Sequence, residues 1–362
     1  MGYKDFLTKL PNGSMYQHPA LQLLKDVLCE KTTNAVVLGF FGAILLRKSL
    51  LGRRDSDHSD KVSTGKAVWR CASCGIAEGN ENRLNHCNGC DLVRYCSDEC
   101  LQDHWPQHAA RCKKRAVELR DEILFRQPES THMGDCPICC LPLPLDPTKR
   151  LLMGCCSKIL CVGCDYANHV REIEEKLDQK CPFFCRHITP KTSEEGEKYA
   201  MRRAEQNDPT ALWQMGVRYF NREEYDLAFE YYTRAVELGD ADADAHYHLS
   251  LLYSLGQGVA KDEKKELYHL EEAAIQGHPN ARYNLGCVEW ENSKFERAAK
   301  HFIIAANLGH DESMKALKRC YKFGDVSKND FAAALRGHYA AVAATKSPQR
   351  EFGEKMHQST KT

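Results

Sequence analysis

The chain has 362 residues, enough for two or three domains or for small modules joined to a repeat array. Its 50 lysines and arginines balance its 50 aspartates and glutamates, so the formal net charge is zero. That balance removes any whole-chain electrostatic pull toward nucleic acid or an anionic membrane. Cysteine is the unusual component: there are 19, and only Cys29, Cys287 and Cys320 fall outside the span from Cys71 to Cys185. A disulfide scaffold is usually short, with a secretory signal ahead of it. Here the cysteines come mostly as close pairs inside a long chain, which favours metal thiolates in a reducing, intracellular setting, cytoplasmic or nuclear.

Residues 1–51 read as a helical segment of unassigned role. The opening stretch Met1 to Lys9 is polar and offers no secretory signal. The apolar run from Ala35 to Leu46 is closed by Arg47 and Lys48, well short of the roughly 20 residues a membrane span needs. Phe6 stands where a myristoylation signal beginning at Gly2 needs Ser or Thr. Residues 52–70 are charged and read as a linker.

The first cysteine block, residues 71–112, divides into four ligand pairs: Cys71 with Cys74, Cys87 with Cys90, Cys96 with Cys100, and His108 with Cys112. The last two pairs have helical spacing, which puts both side chains on one face. Eight ligands fill two tetrahedral zinc sites and leave no open position, the signature of structural zinc. Such sites supply folding energy to a module too small to bury much core. The run Tyr95-Cys96-Ser97, the gap to Cys100, and Trp105, His108 and Cys112 resemble the MYND finger family. That resemblance implies interleaved sites, one of Cys71, Cys74, Cys96 and Cys100 and the other of Cys87, Cys90, His108 and Cys112. It also implies a groove for short proline-rich peptides, lined by Trp105 and a glutamine. Leu101 stands where the family carries that glutamine, and Gln102 follows one position later. His86 and His104 read as surface histidines.

A linking helix is expected over residues 113–130, with Val117, Leu119, Ile123 and Leu124 as its apolar members. A second cysteine block follows at residues 136–187. Cys136 and Cys139 open it, Cys155, Cys156, Cys161 and Cys164 form its middle, and Cys181 and Cys185 close it. The layout resembles a RING finger, a two-zinc module that recruits ubiquitin-conjugating enzymes. The resemblance implies one site from Cys136, Cys139, Cys161 and Cys164. The second site departs from the family, because Lys158 stands at the central ligand position and an ammonium has no lone pair to give. Cys155 and Cys156, either or both, join Cys181 and Cys185 there, with His169 or His187 as other sources of the missing ligand. Cys140 reads as a small buried residue. By resemblance, Ile138 would face a conjugating enzyme and Arg186 would steady its activated ubiquitin.

The C-terminal half repeats itself. A motif beginning at Ala211 returns at Ala245, at Ala281 and, weakly, at Ser313, in steps of 34, 36 and 32 residues. A second marker keeps pace, from Ala235 to Gly239, Ala273 to Gly277 and Ala305 to Gly309. A period in the mid-thirties with small residues at fixed offsets predicts stacked helix pairs. Leu252-Tyr253, Gly256, Gly258, Val259, Asp262, Lys264-Lys265, Glu272-Ala273-Ala274 and Gly277 resemble the Sel-one-like subfamily of tetratricopeptide-like repeats. The resemblance runs over residues 208–347, with Phe331 to Thr345 as closing helix and 348–362 as a polar tail, and implies scaffold work.

The fold class expected is mainly α: small two-zinc finger modules followed by an α-solenoid of helix-pair repeats. The function expected is that of an adaptor without catalytic residues, with proteins as partners. The alternative is a RING-type ubiquitin ligase, which would position another enzyme's thioester and itself supply no nucleophile. Nucleic-acid binding ranks last, since neither block has the spacing of a finger with one zinc behind a recognition helix.

Overall fold

In the computed structural model, residues 69–79, 83–178, 180–183, 192–238 and 243–359 are described. The expected N-terminal helical segment, the apolar run Ala35 to Leu46, nearly all of the linker, Cys185, Arg186 and His187 lie outside them. The chain divides into two compact units, one ending at Arg126 and the other resuming at Gln127.

The first unit is the finger. Strand β1 (Asn85–His86) pairs antiparallel with β2 (Arg94–Tyr95), and helix α1 (Asp98–Leu124) follows. Ser97 caps α1 by accepting from the Cys100 amide, and Asp98 and Glu99 in the first turn suit the positive end of the helix dipole. The helix carries Cys100, His108 and Cys112 and runs unbroken to Leu124, so the expected linking helix is its continuation. Little apolar matter is buried. Leu84 and Tyr95 pack with the sulfurs of Cys71, Cys87, Cys90 and Cys112.

The second unit begins with the other cysteine block. Strands β3 (Arg150–Met153) and β4 (Lys158–Cys161) form a hairpin in which Leu151 faces Leu160, and helix α2 (Val162–Glu174) follows directly. Leu143, Met153 and Leu160 pack among Cys136, Cys155, Cys161, Cys164 and Cys181. Helix α3 (Ser193–Glu205) comes next. The polar run Thr192 to Glu195 is the start of this helix: Thr192 caps it, and Ala200 and Ala204 join the first core of the repeats.

Seven helices of 13 residues each make the body of the array: α4 (Pro209–Asn221), α5 (Tyr225–Glu237), α6 (Ala243–Leu255), α7 (Glu263–Ile275), α8 (Pro279–Glu291), α9 (Phe295–Asn307) and α10 (Asp311–Phe323). Asp208, Asp262, His278 and His310 cap four of them through side chains that accept amide protons. Pro209 and Pro279 sit in the first turn, where no amide donor is needed. Helices pair α4 with α5, α6 with α7, and α8 with α9. Glycine sets the closeness of two of these pairs. A Cβ on Gly216 would lie 2.5 Å from the Tyr232 ring, and one on Gly286 would lie 2.4 Å from the Phe302 ring. Helix α11 (Lys328–Ala344) falls where a closing helix is expected. Where a polar tail is expected, helix α12 (Pro348–Ser359) forms instead, and it packs along α2 of the cysteine block.

Candidate metal centres

The finger brings its eight candidate ligands into two groups. Cys71, Cys74, Cys96 and Cys100 form one, and Cys87, Cys90, His108 and Cys112 form the other; the donor atoms within each lie within 4.8 Å of one another. In the first, Cys96 Sγ lies 3.5 Å from the sulfurs of both Cys74 and Cys100. In the second, which is wholly buried, Cys87 and Cys112 sulfurs are 3.6 Å apart and His108 Nε2 is 3.4 Å from both Cys87 and Cys90. Tetrahedral zinc with bonds of about 2.0–2.3 Å needs donor separations of roughly 3.3–3.8 Å. The donor chemistry fits a cation as well. Contact with the Cys74 and Cys100 sulfurs pushes Cys96 up to about 12, and burial with Cys87 alongside pushes Cys112 up to about 12. Thiols packed this closely resist shedding their protons together, and a divalent cation between them reverses that cost. Burial, then the charges of His104 and Arg111, hold His108 below the ordinary imidazole value, which keeps it in its neutral, ligating form.

The second block gathers its sulfurs differently. Cys136, Cys139, Cys161 and Cys164 form a four-sulfur group, and Cys155, Cys156 and Cys181 form another. Cys139 and Cys161 sulfurs stand 3.9 Å apart, and Cys156 and Cys181 sulfurs 3.7 Å apart. Burial works against ionising Cys136, but the amides of Cys139, Cys161 and Ile138 outweigh it and draw the thiol down to about 7. Both members of the Cys155-Cys156 pair are brought to the second group. Lys158 points away from ligation, with its Nζ 4.8 Å from the centre of the Phe183 ring. His169 is exposed on α2 and belongs to no such group among the described residues. Cys140 is exposed, not buried as expected, because it occupies the left-handed position (φ 54°) of the turn that folds Cys139 back toward Cys136.

Comparison with known families and structures adds to this geometry. The MYND finger model matches residues 71–112, and the Sel1 repeat model matches residues 209–240, 243–278 and 279–310. The chain carries a MYND finger and Sel1 repeats. Among solved structures it is similar to a Sel1 repeat protein from Oxalobacter formigenes, at 25% identity and TM-score 0.37, over 47% of this chain and 51% of that one. It is also similar to a protective antigen of uropathogenic Escherichia coli displaying an SLR fold, at 22% identity and TM-score 0.35, over 46% and 37%. The chain thus spans about half the length of the first and less of the second. The three Sel1 matches coincide with the pairs α4–α5, α6–α7 and α8–α9, and α10 with α11 extends the array beyond them.

On the MYND finger, Gln102 and Trp105 sit three residues apart on the exposed side of α1. Trp105 is 39% exposed and turns its ring edge-on to His108, with centroids 6.1 Å apart. His104, expected at the surface, is half-buried: its Nδ1 lies 2.9 Å from the Tyr95 hydroxyl and its ring stacks on His108. It supports a ligand and is not one. The helical step of four from His104 to His108 is the sequence signal for that support.

One further group of potential ligands lies in the second unit. His132 Nε2 and His278 Nε2 face the two oxygens of Asp244 at 3.3 and 3.4 Å. Burial alone would raise the Asp244 carboxyl, but the two imidazoles hold it well below the carboxylate range. His278 Nδ1 accepts the Ala281 amide, which fixes the neutral tautomer with its proton on Nε2, toward Asp244. That nitrogen has no lone pair for a metal. The cluster is an electrostatic pin that holds the segment before the second block to α6 and α8, aided by the His132 amide donating to the Gly277 carbonyl. No helix among the described residues is long and apolar enough to cross a membrane.

Proposed function

We propose that this protein is a zinc-stabilised adaptor whose MYND finger presents a peptide-docking face while the Sel1 unit holds a second partner. Zinc in the finger rests on Cys71, Cys74, Cys96 and Cys100 and on Cys87, Cys90, His108 and Cys112, as the donor distances and thiol energetics favour. Zinc in the second block rests on Cys136, Cys139, Cys161 and Cys164, with Cys155, Cys156 and Cys181 as a further site that Cys185 would complete. The observation that carries the docking reading is Trp105, a large aromatic left 39% exposed on the helix that supplies two buried ligands. A tryptophan held against a metal-ligand ring is rigid, and rigid aromatics are the usual anchors of peptide interfaces. Trp105→Ala should weaken capture of a proline-rich peptide by about 10-fold or more while zinc content stays unchanged. Equal capture by the variant would end the groove reading.

A second reading is the ubiquitin ligase. Ile138, at the tip of the Cys136–Cys139 turn, is 43% exposed, as a contact for a conjugating enzyme would need to be. Autoubiquitination lost in Ile138→Ala and in Arg186→Ala would support it. An absence of ubiquitin chains from the zinc-loaded wild type across a panel of conjugating enzymes would leave the adaptor.

A further inference from the structure

The C-terminal helix carries a guanidinium in an unusual place. Arg350 is 2% exposed, yet its hydrogen bonds go to no carboxylate among the described residues. Its Nη1 donates to the carbonyls of Pro142 and Thr345, both at 2.7 Å, and its Nη2 donates to the Leu141 carbonyl at 2.9 Å and to Cys139 Sγ at 3.1 Å. Burying an uncompensated guanidinium is strongly unfavourable, and carbonyl dipoles alone do not supply the missing charge. Four thiolates around one zinc carry a formal double negative charge, and the sulfurs next to Arg350 belong to such a set of four.

The approach is built for closeness. A Cβ on Gly163 would lie 2.6 Å from the Arg350 Cα, and one on Gly353 would lie 2.7 Å from the Gly163 Cα, so α2 and α12 touch backbone to backbone. Phe352 meets Tyr166 edge-on with centroids 5.6 Å apart, and Lys149 pairs with Glu354 at 2.9 Å. Amides donate to other sulfurs of the same group: Cys161 N to Cys136 Sγ at 3.5 Å and Cys164 N to Cys161 Sγ at 3.4 Å.

We propose that Arg350 is the counter-cation of a four-thiolate zinc centre at Cys136, Cys139, Cys161 and Cys164, making α12 a part of the second metal module. This rests on the zinc reading given above. Arg350 is a positioning residue here: it holds Cys139 and offsets thiolate charge without ligating. The first turns of α2 are therefore covered by the chain's own C-terminus, and a partner docking there must displace α12.

The test is zinc transfer from the full-length, zinc-loaded protein to a chromophoric chelator, followed in time. Cys136→Ser identifies which zinc belongs to this centre. Arg350→Gln should release that zinc about 10–100-fold faster while the finger's zinc leaves at its wild-type rate. Arg350→Lys, which keeps the charge and loses the fork, should restore most of the retention. If Cys136→Ser carries as much zinc as wild type, the zinc reading fails and the proposal falls with it. If the zinc is there but both variants release it at the wild-type rate, or equally fast, the counter-cation role alone is overturned. Should Arg350→Gln not fold, Gly353→Leu lifts α12 from Gly163 with Arg350 intact. It should speed release of the same zinc, and an unchanged rate would overturn the proposal.

Discussion

The MYND finger and the second cysteine block draw sulfur donors to similar separations, yet their surroundings differ. In the finger, the apolar core is Leu84 and Tyr95 among the ligands themselves. The second block is bound into the Sel1 unit on several sides. Arg203 donates to the Cys155 carbonyl and to Ser157, and Ser157 donates to Asp208, the cap of α4. His132 reaches Asp244 and Gly277, and Arg350 reaches Cys139. The same chemistry therefore serves two ends. One centre replaces a core, and the other is mortared into one.

The largest expected effect sets these apart. Structural zinc contributes on the order of 10 kcal/mol to a small module, so Cys90→Ser should unfold the finger outright. The helical melting transition of the repeats should not move. Cys161→Ser should lower that same transition by about 10 °C, because it loosens a block that packs on both α3–α4 and α12. Zinc counts and circular-dichroism melts on the two variants measure this. Equal shifts would erase the contrast.

How much of this was legible depends on the range of the contacts. Cys71 to Cys112 announce the finger because the ligands are local and come in close pairs. The repeat period announces the helix pairs, since Gly216 and Gly286 recur where rings of the partner helix press. The docking of α12 leaves no such mark. Residues 348–359 have no apolar stripe, and what fixes them is scattered: Arg350, Phe352 on Tyr166, Glu354 on Lys149, and the close approach of Gly163 and Gly353, 190 residues apart. Thr192 to Glu195 misled in the opposite way: a polar run reads as a separator until Thr192 is recognised as a cap with two acidic residues behind it. The partner-facing residues stay proposals because exposure at Trp105 and Ile138 marks a place, not a ligand.

Acid should act on the Sel1 unit through its buried histidines. Burial holds His248 down at about 4, and burial with His246 alongside holds His269 down at about 3. Both folded values lie below the unfolded value of about 6.5, so the unfolded chain takes up these protons first. The stabilisation is complete above pH 6.5 and is lost as pH falls from 6.5 toward 4 for His248 and toward 3 for His269. At pH 5 each site should have cost about 2 kcal/mol. His248 stacks on Tyr232 with centroids 5.0 Å apart, so His248→Phe keeps the stack and removes the proton. Urea melts at pH 7 and pH 5 should show a smaller pH loss in that variant. An unchanged loss would place the acid sensitivity elsewhere.

The smallest effect sharpens the comparison most finely. Glu223 and Ser293 hold left-handed backbone (φ 63° and 59°) in the turns inside two helix pairs, and Asp91 does the same (φ 54°) beside Cys90 in the finger. Replacing each by glycine relieves roughly 0.5–1 kcal/mol of backbone strain. In the repeats, Glu223→Gly and Ser293→Gly should raise the urea midpoint and leave zinc untouched. In the finger, folding and metal binding are one equilibrium, so the same relief in Asp91→Gly should appear as about 2–5-fold tighter zinc. Competition against a chelator of known affinity measures it. If Asp91→Gly left zinc affinity unchanged while the repeat variants gained stability, the finger would hold its turn without its metal, and its core would be more than the sulfurs it gathers.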